Sequence, residues 1–340
     1  MENLTIDSAA LVGRGYRMVD YYEVGREKIR EFARAVQDFQ PAHWSEDAAA
    51  DLGYDRLIAP VTFGSIIFMI VNRALFDGLA GYDMSQLLQA DQILELHRPV
   101  AAGDRLVCSV ELSSFRRVAD NDFIVVKNVL ATQDNELVQV SHTTVVARTG
   151  DEVDPAIAEA AESVVMHGVS LADRLSATDG AKLIETVEAP QIAPATHIPR
   201  TSMRFEDLSV GDVLPSKPLR VSRGDLVNYA GVAGDPNPIH WNDGLAALVG
   251  LPNVVAHGML TMGMAAGFVT SWLGDPAALT KFSVRFTGIA PIDPHKPQAI
   301  EFTGRIKSLD ADKRTAVVAL AAHYEERKLF GRATAEVRLR

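Results

Sequence analysis

Residues 229–270 read YAGVAGDPNPIHWNDGLAALVGLPNVVAHGMLTMGMAAGFVT. An aspartate, Asp235, and a histidine, His240, flank a segment that carries two prolines. Pro236 and Pro238 fix φ and remove backbone donors, so Asp235, Asn237 and His240 cannot lie on one continuous helix. The spacing predicts a tight loop, followed by an apolar, glycine-rich helix that starts at His257-Gly258.

The same pattern occurs earlier in the chain. Residues 24–44, VGREKIREFARAVQDFQPAHW, align without a gap on residues 221–241, VSRGDLVNYAGVAGDPNPIHW. Seven positions match at a constant offset of 197, among them Asp38/Asp235, Pro41/Pro238, His43/His240 and Trp44/Trp241. The offset also pairs Gly53 with Gly250 and Ala59 with Ala256, and it brings two apolar helix candidates into register. The chain therefore reads as a duplicated domain.

Each copy has the texture of an α+β unit. In the first, Ile29, Phe32, Ala33 and Val36 recur at helical spacing over residues 26–36, and a shorter helix is expected over 45–52. A buried helix then runs from Thr62 to about Leu79. Runs at 89–96, 105–112, 123–130 and 137–146 alternate or are β-branched and read as antiparallel strands. The second copy predicts strands over 282–286, 299–308, 315–324 and 329–339. Residues 151–200 are rich in Ala, Glu and Pro with no sustained strand pattern, which suggests a linker with a short helix near Ser170 to Leu175. The division is thus 1–150, 151–200 and 201–340, with two domains long enough to bury their own cores.

Composition excludes several classes of function. The 340 residues are 47% hydrophobic and 23% charged, which is the balance of a globular protein rather than a disordered one. With 33 Lys+Arg against 44 Asp+Glu the formal net charge is −11, which disfavours nonspecific attraction to nucleic acid or anionic membrane. The single cysteine, Cys108, cannot form an intrachain disulfide, and no Cys/His group has metal-ligand spacing, so neither metal nor redox cofactor is expected. The first residues lack a secretory pattern. The apolar stretches at 57–71 and 254–269 are too short and interrupted to span a membrane, and a cytoplasmic location is the expectation.

An aspartate and a neutral histidine on a rigid loop can hold a water and exchange protons with it. Free N–H groups at the start of a helix can hold a carbonyl oxygen that gains negative charge. Such a set suits addition or removal of water β to a thioester carbonyl. Each residue alone has a plainer use: Asp beside Pro and Asn is a common turn or cap, His240 a structural histidine, and His257 a packing residue at a helix start. Their joint occurrence with the helix and strands that follow favours chemistry.

GDPNPIHW followed by AHGML resembles the signature of MaoC-like R-specific enoyl hydratases and dehydratases, whose hot-dog fold wraps a curved antiparallel sheet round one long helix. The second half is similar to HadB, and the first, through YYEVGREKIREFA and LIAPVTF, is similar to HadA. The chain thus resembles fused HadA and HadB subunits of the (3R)-hydroxyacyl-ACP dehydratase of type II fatty acid synthesis, of the mycolate-elongating type. The resemblance implies a double hot-dog hydro-lyase that turns a (3R)-3-hydroxyacyl thioester into the trans-2-enoyl product. It makes Asp235 and His240 the catalytic pair, with Asn237, His257 and the Gly258 N–H at the substrate. It requires no cofactor and names acyl carrier protein as partner, with a homo-oligomer compatible.

The first copy keeps Asp38 and His43 but has Phe39-Gln40 for Pro236-Asn237 and Pro60-Val61 for His257-Gly258. It is expected to be a second or vestigial site, while its apolar helix around Phe63 to Phe68 lines an acyl tunnel. The alternatives are an R-specific enoyl-CoA hydratase 2, a hot-dog thioesterase and a non-catalytic acyl-binding protein. No acidic residue lies between Met259 and Leu273, which counts against the thioesterase. Lys281, Arg285 and Lys307 are candidates to meet an anionic carrier or a CoA phosphate.

Overall fold

A computed structural model describes residues 8–76, 87–148, 155–165, 183–186, 193 and 198–340. The first half contains β1 (Gly15–Met18), β2 (Tyr22–Glu23), α1 (Arg26–Ala35), α2 (Glu46–Asp51), the central helix α3 (Ser65–Leu75) and strands β3 (Leu87–Leu96), β4 (Arg105–Val118), β5 (Asn121–Thr132) and β6 (Leu137–Arg148). Next come α4 (Pro155–Val164) and β7 (Leu183–Thr186). The second half repeats the order with β8 (Val213–Val221), α5 (Arg223–Ala233), α6 (Asp243–Leu248), the central helix α7 (Gly258–Leu273), β9 (Leu279–Phe286), β10 (Gln298–Asp310), β11 (Thr315–Tyr324), β12 (Arg327–Lys328) and β13 (Phe330–Arg338).

The thirteen strands of the described residues join in one antiparallel sheet, eleven of them in the order β7-β1-β4-β5-β6-β3-β9-β13-β11-β10-β8, with β2 paired to β4 and β12 to β11. Read outward from the β3–β9 junction, the two halves have matching strand orders. Alternate residues of β5 and β11 are buried, as expected of strands with one face on a core. Each central helix fills the concave face of its own half, and the architecture is the double hot-dog that the repeat implied.

Two differences from the sequence expectation have physical causes. The stretch read as a linker without strands contributes β7, which pairs with β1 through Gly15↔Thr186 to Met18↔Leu183 and shields that edge. The pattern LIET is too short to stand out against an Ala/Pro-rich background. The helix expected from Thr62 begins instead at Ser65, after a turn over residues 61–64. Its expected end near Leu79, and the helix near Ser170 to Leu175, lie outside the described residues.

The halves meet at the sheet seam, at a helix pair and at a loop, among other contacts. The β3–β9 register sets Asp91 opposite Arg285 and Glu95 opposite Lys281, with ion pairs of 2.8 and 3.1 Å. Lys281 and Arg285 are therefore paired with acidic residues of β3 at the junction. Across α1 and α5, Phe32 meets Tyr229 with ring centroids 6.3 Å apart. Finally, the first-half loop presses on α7 at two glycines. A Cβ on Gly263 would stand 2.7 Å from Val36 Cγ1, and one on Gly267 would stand 3.1 Å from Asp38 Cγ.

Asp275, fully buried just after α7, links distant segments: it accepts from the Tyr54 hydroxyl at 2.7 Å, the Arg200 N–H at 2.6 Å and the Ala277 N–H at 2.9 Å. Its removal would break three hydrogen bonds at partly buried donors, each worth about 0.5–1.5 kcal/mol or more to a charged acceptor. Asp275→Ala is expected to lower the urea-unfolding free energy by about 2–4 kcal/mol, whereas Tyr54→Phe, which takes away the hydroxyl donated to Asp275 and leaves the other two bonds, should cost about 1 kcal/mol.

Candidate active site

Helix α5 starts at a capping box: Ser222 Oγ accepts from the Asp225 N–H, and Asp225 Oδ2 accepts from the Ser222 N–H at 2.7 Å. It stops at Gly234, whose φ of 73° is left-handed, and the Asp235 N–H donates back to the Ala230 carbonyl at 3.1 Å. The chain is thereby turned so that Asp235 opens the loop. Asp235 Oδ1 accepts from the Asn237 N–H at 3.2 Å, and Asn237 Oδ1 accepts from the Ile239 N–H at 3.2 Å. Pro238–His240 then forms a single 3-10 turn. The two prolines make this a rigid loop, as the sequence predicted.

His240 Nδ1–H donates to the Val255 carbonyl at 2.7 Å, which fixes the tautomer and leaves Nε2 as the basic nitrogen. His257, the residue before α7, stacks on it with ring centroids 3.7 Å apart. Tyr229 packs against the other side of His257 at 4.8 Å. One oxygen of Asp235 and ring nitrogens of His240 and His257 all lie within 4.8 Å of one another. The sequence showed no metal-ligand spacing; the fold brings these three together from separate segments.

Both imidazoles are buried, and burial pushes their pKa values down, only partly offset for His240 by the Asp235 charge and reinforced for His257 by His240. The pair is thus neutral at pH 7. Asp235 keeps partial solvent access, as do Gly258 and Met259 at the start of α7, so the cluster opens on that side. Gly258 is the first helical residue, and its N–H belongs to the four that lack an intrahelical acceptor. A Cβ there would stand 3.3 Å from the Phe286 ring, so glycine lets the helix start fit against β9.

The first half repeats this local chemistry. Its helix turns at Gln37, left-handed at φ 54°, at the position that Gly234 occupies in the second copy. His43 Nδ1–H donates to the Ile58 carbonyl at 2.7 Å, and Gln40 Oε1 accepts from the Ala42 N–H as Asn237 does from Ile239. The environment differs. Asp38 and His43 are 2% and 0% exposed and face each other at 3.3 Å between Oδ2 and Nε2. Gly267 of α7 covers the carboxylate. A shallow cleft opens beside Pro60 and Val61, with Arg98 and Gln139 in its wall, but neither Asp38 nor His43 lines it.

Besides the exchanges at Phe39-Gln40 and Pro60-Val61, the copies differ at a helix position that was not singled out in the sequence. Gly267 aligns with Ile70 at the same offset, and that exchange was the available signal. The carbonyls of Ile58 and Val255 and the ring of Phe286 leave no signal of their own, because any residue supplies a carbonyl and an aromatic in a strand is usually core.

Burial raises the Asp38 pKa, but His43 and the Gln40 N–H outweigh it and hold the carboxyl below its ordinary value. A depressed carboxyl contributes stability that is present above its unfolded value, about 3.9, and lost as pH falls through the folded value. Asp38→Asn should therefore be less stable than the parent at pH 7, with the deficit shrinking by pH 3.5. Urea unfolding at both pH values checks this; a deficit that grows on acidification would show that the carboxyl is raised instead.

Comparison with known proteins agrees with the geometry. Residues 10–140 match the model described as FAS1-like, dehydratase domain region, and residues 207–319 match the MaoC like domain. UPF0336 proteins of Mycobacterium tuberculosis are 41% identical over 147 residues, covering 43% of this chain and 92% of the relative. A Mycobacterium tuberculosis structure described as a double hotdog fold superposes with a TM-score of 0.63 at 14% identity, over 96% of each chain, which is a likeness of fold alone. A solved structure titled MaoC-like dehydratase is 46% identical, with a TM-score of 0.88 over 97% of this chain and 99% of the other. The chain belongs to the MaoC-like dehydratase family.

Proposed function

We propose that this protein is a (3R)-3-hydroxyacyl-ACP dehydratase of the fatty acid elongation type, working at Asp235 and His240. The observation that carries the reading is the asymmetry between two otherwise matching loops. Asp235 retains solvent access beside the open start of α7, whereas Asp38 is closed off by Gly267. Of the two loops, the second is the one whose aspartate keeps solvent access.

In the forward reaction the C2 proton of the thioester is taken by one member of the pair, and the negative charge moves to the thioester oxygen. The Gly258 N–H holds that oxygen; one such donor is worth about 3–4 kcal/mol in the transition state. The C3–O bond breaks as the same member hands that proton on to the hydroxyl, which leaves as water, and the trans-2 double bond forms. Neutral His240, with Nδ1 anchored on Val255, can accept or give a proton at Nε2, and positioned proton transfer contributes about 10²–10⁴ in rate. Asn237 holds the loop, and His257 forms the wall of the site against Tyr229. No step needs a metal or redox group, because the thioester itself acidifies the C2 proton.

The two halves divide the work in this reading. Residues 201–340 supply the catalytic loop, and residues 1–150 supply α3. Ser65, Met69 and Ile70 on α3 keep partial exposure, whereas α7 is buried on all sides from Leu260 to Thr270. An acyl chain would run along that stripe. The resemblance of both halves to HadA and HadB supports acyl carrier protein as the carrier and possession of both halves as a fused unit.

Asp235→Asn and His240→Ala should each lower turnover of a (3R)-3-hydroxyacyl or trans-2-enoyl thioester by at least about 10²-fold without unfolding the chain. Asp38→Asn and His43→Ala should alter stability far more than turnover per folded molecule; an equal catalytic loss would mean that both loops act. For the carrier, kcat/KM for one acyl chain should be higher on acyl carrier protein than on CoA. The reverse preference would assign the chain to CoA thioester hydration.

A further inference from the structure

A polar cluster of the first half ends beside the start of α7. Gln92, 3% exposed, is fully used: its Nε2 donates to Ser141 Oγ at 2.7 Å, and its Oε1 accepts from the Thr143 hydroxyl at 2.8 Å and from Gln89 Nε2 at 2.7 Å. Gln89 Nε2 also lies 3.4 Å from Met259 Sδ, and Met259 follows Gly258. Both N–H groups of the Gln89 amide are thus engaged, while its Oε1 accepts from no described residue.

A bulge aims Gln89 at this place. In the β3–β6 ladder Gln92 stands opposite Thr143 and Gln89 opposite Val145, both buried residues, because Ala90 is passed over between Gln89 and Asp91. Without the extra residue Gln89 would share the outer face with Asp91, whose carboxylate pairs with Arg285. Strand β9 has the same device: its register with β13 passes over Thr280 and sets Leu279 where Gln89 stands in β3. By the same registers Phe282, Ala333 and Ala335 take the places of Gln92, Ser141 and Thr143. The duplicated backbone therefore carries four polar side chains in one copy and four apolar ones in the other. Leu279 lines the cleft beside Pro60 and Val61, the counterparts of His257 and Gly258. An apolar set fills these places without the desolvation cost of buried amides and hydroxyls, so the polar set beside Gly258 points to a polar ligand group.

We propose that Gln89 is a substrate-recognition residue whose Oε1 accepts the N–H of the amide nearest to the sulfur in the thiol arm of an acyl thioester. This rests on the reading of Gly258 as the holder of the thioester oxygen. A thioester held there must lead its arm out to solvent, and Gln89 stands at the rim: it is partly exposed, and Leu88 before it is 66% exposed. Because Gln92 and Met259 occupy both N–H groups of Gln89, its amide presents an acceptor and not a donor. The rim thus selects an arm that offers an N–H over one that offers only acceptors. Gln92, Ser141 and Thr143 are positioning residues that hold this orientation from the buried side.

The test is calorimetric binding of two saturated thioesters to the full-length chain: S-octanoyl-N-acetylcysteamine, which has that amide, and S-octanoyl-O-acetylmercaptoethanol, in which an ester oxygen replaces the N–H. Neither ligand can be dehydrated or hydrated. The parent is expected to bind the amide about 3–10-fold more tightly, the effect of one net hydrogen bond. Gln89→Leu, which copies Leu279, and Gln89→Ala should bind the two ligands alike, and circular dichroism verifies that both variants are folded. A parent that binds neither ligand, a parent without the preference, or folded variants that keep the parent's ratio would overturn the proposal, the last because a merely structural Gln89 would weaken both ligands together. Turnover of trans-2-octenoyl-N-acetylcysteamine by the parent is measured separately. A chain that shows the preference without turnover keeps the role of Gln89 and refutes dehydration.

Discussion

The antiparallel pairing of β3 with β9 is the constraint on which the rest of the molecule depends. A single hot-dog sheet ends in an edge of unpaired N–H and C=O groups, and two such edges satisfy each other when they meet in register. The ion pairs flanking this seam are largely exposed and add little, since such pairs are worth about 0–1 kcal/mol. The backbone ladder and the apolar side chains behind it do most of the holding. With the seam set, the first-half loop reaches the central helix of the other half, where Val36 and Asp38 lie against Gly263 and Gly267.

That crossing is where duplication stops being symmetric. Identical local rules build both loops: a helix ended by a left-handed residue, an aspartate receiving a backbone N–H, a side-chain cap and a histidine anchored on a carbonyl. What each loop meets is different. The first meets Gly263 and Gly267 of α7, which allow Val36 and Asp38 to come into contact with the helix. The equivalent positions of α3 are Ile66, which is buried, and Ile70, which keeps partial exposure, and Asp235 keeps solvent access. The absence of a side chain at two helix positions thus lets α7 close over the Asp38–His43 pair, while the second loop keeps access.

Much of this was legible in the sequence. The offset of 197 identified the duplication, because seven matches without a gap preserve the loop residues and both central helices together. Pro236 and Pro238 exclude a helix, so the tight loop followed from φ restriction alone. Strands with alternate apolar residues, such as β5 and β11, declared themselves by their period. The strand at Leu183–Thr186 did not, because four residues on an edge carry almost no periodic signal and their pairing partner lies far away in the chain. Lys281 and Arg285 looked like solvent charges for the same reason: their acidic partners are on β3.

The sequence by itself determined the family, the repeated fold and the residue types that could carry acid–base chemistry, since these rest on local conformation and spacing. Only the tertiary structure decided how those residues are used. It stacked His257 on His240, closed Asp38 under Gly267 and left Asp235 within reach of solvent. The physical reason is that burial and access depend on the surface that the other half presents, and the seam between β3 and β9 sets that surface after each half has taken its own shape.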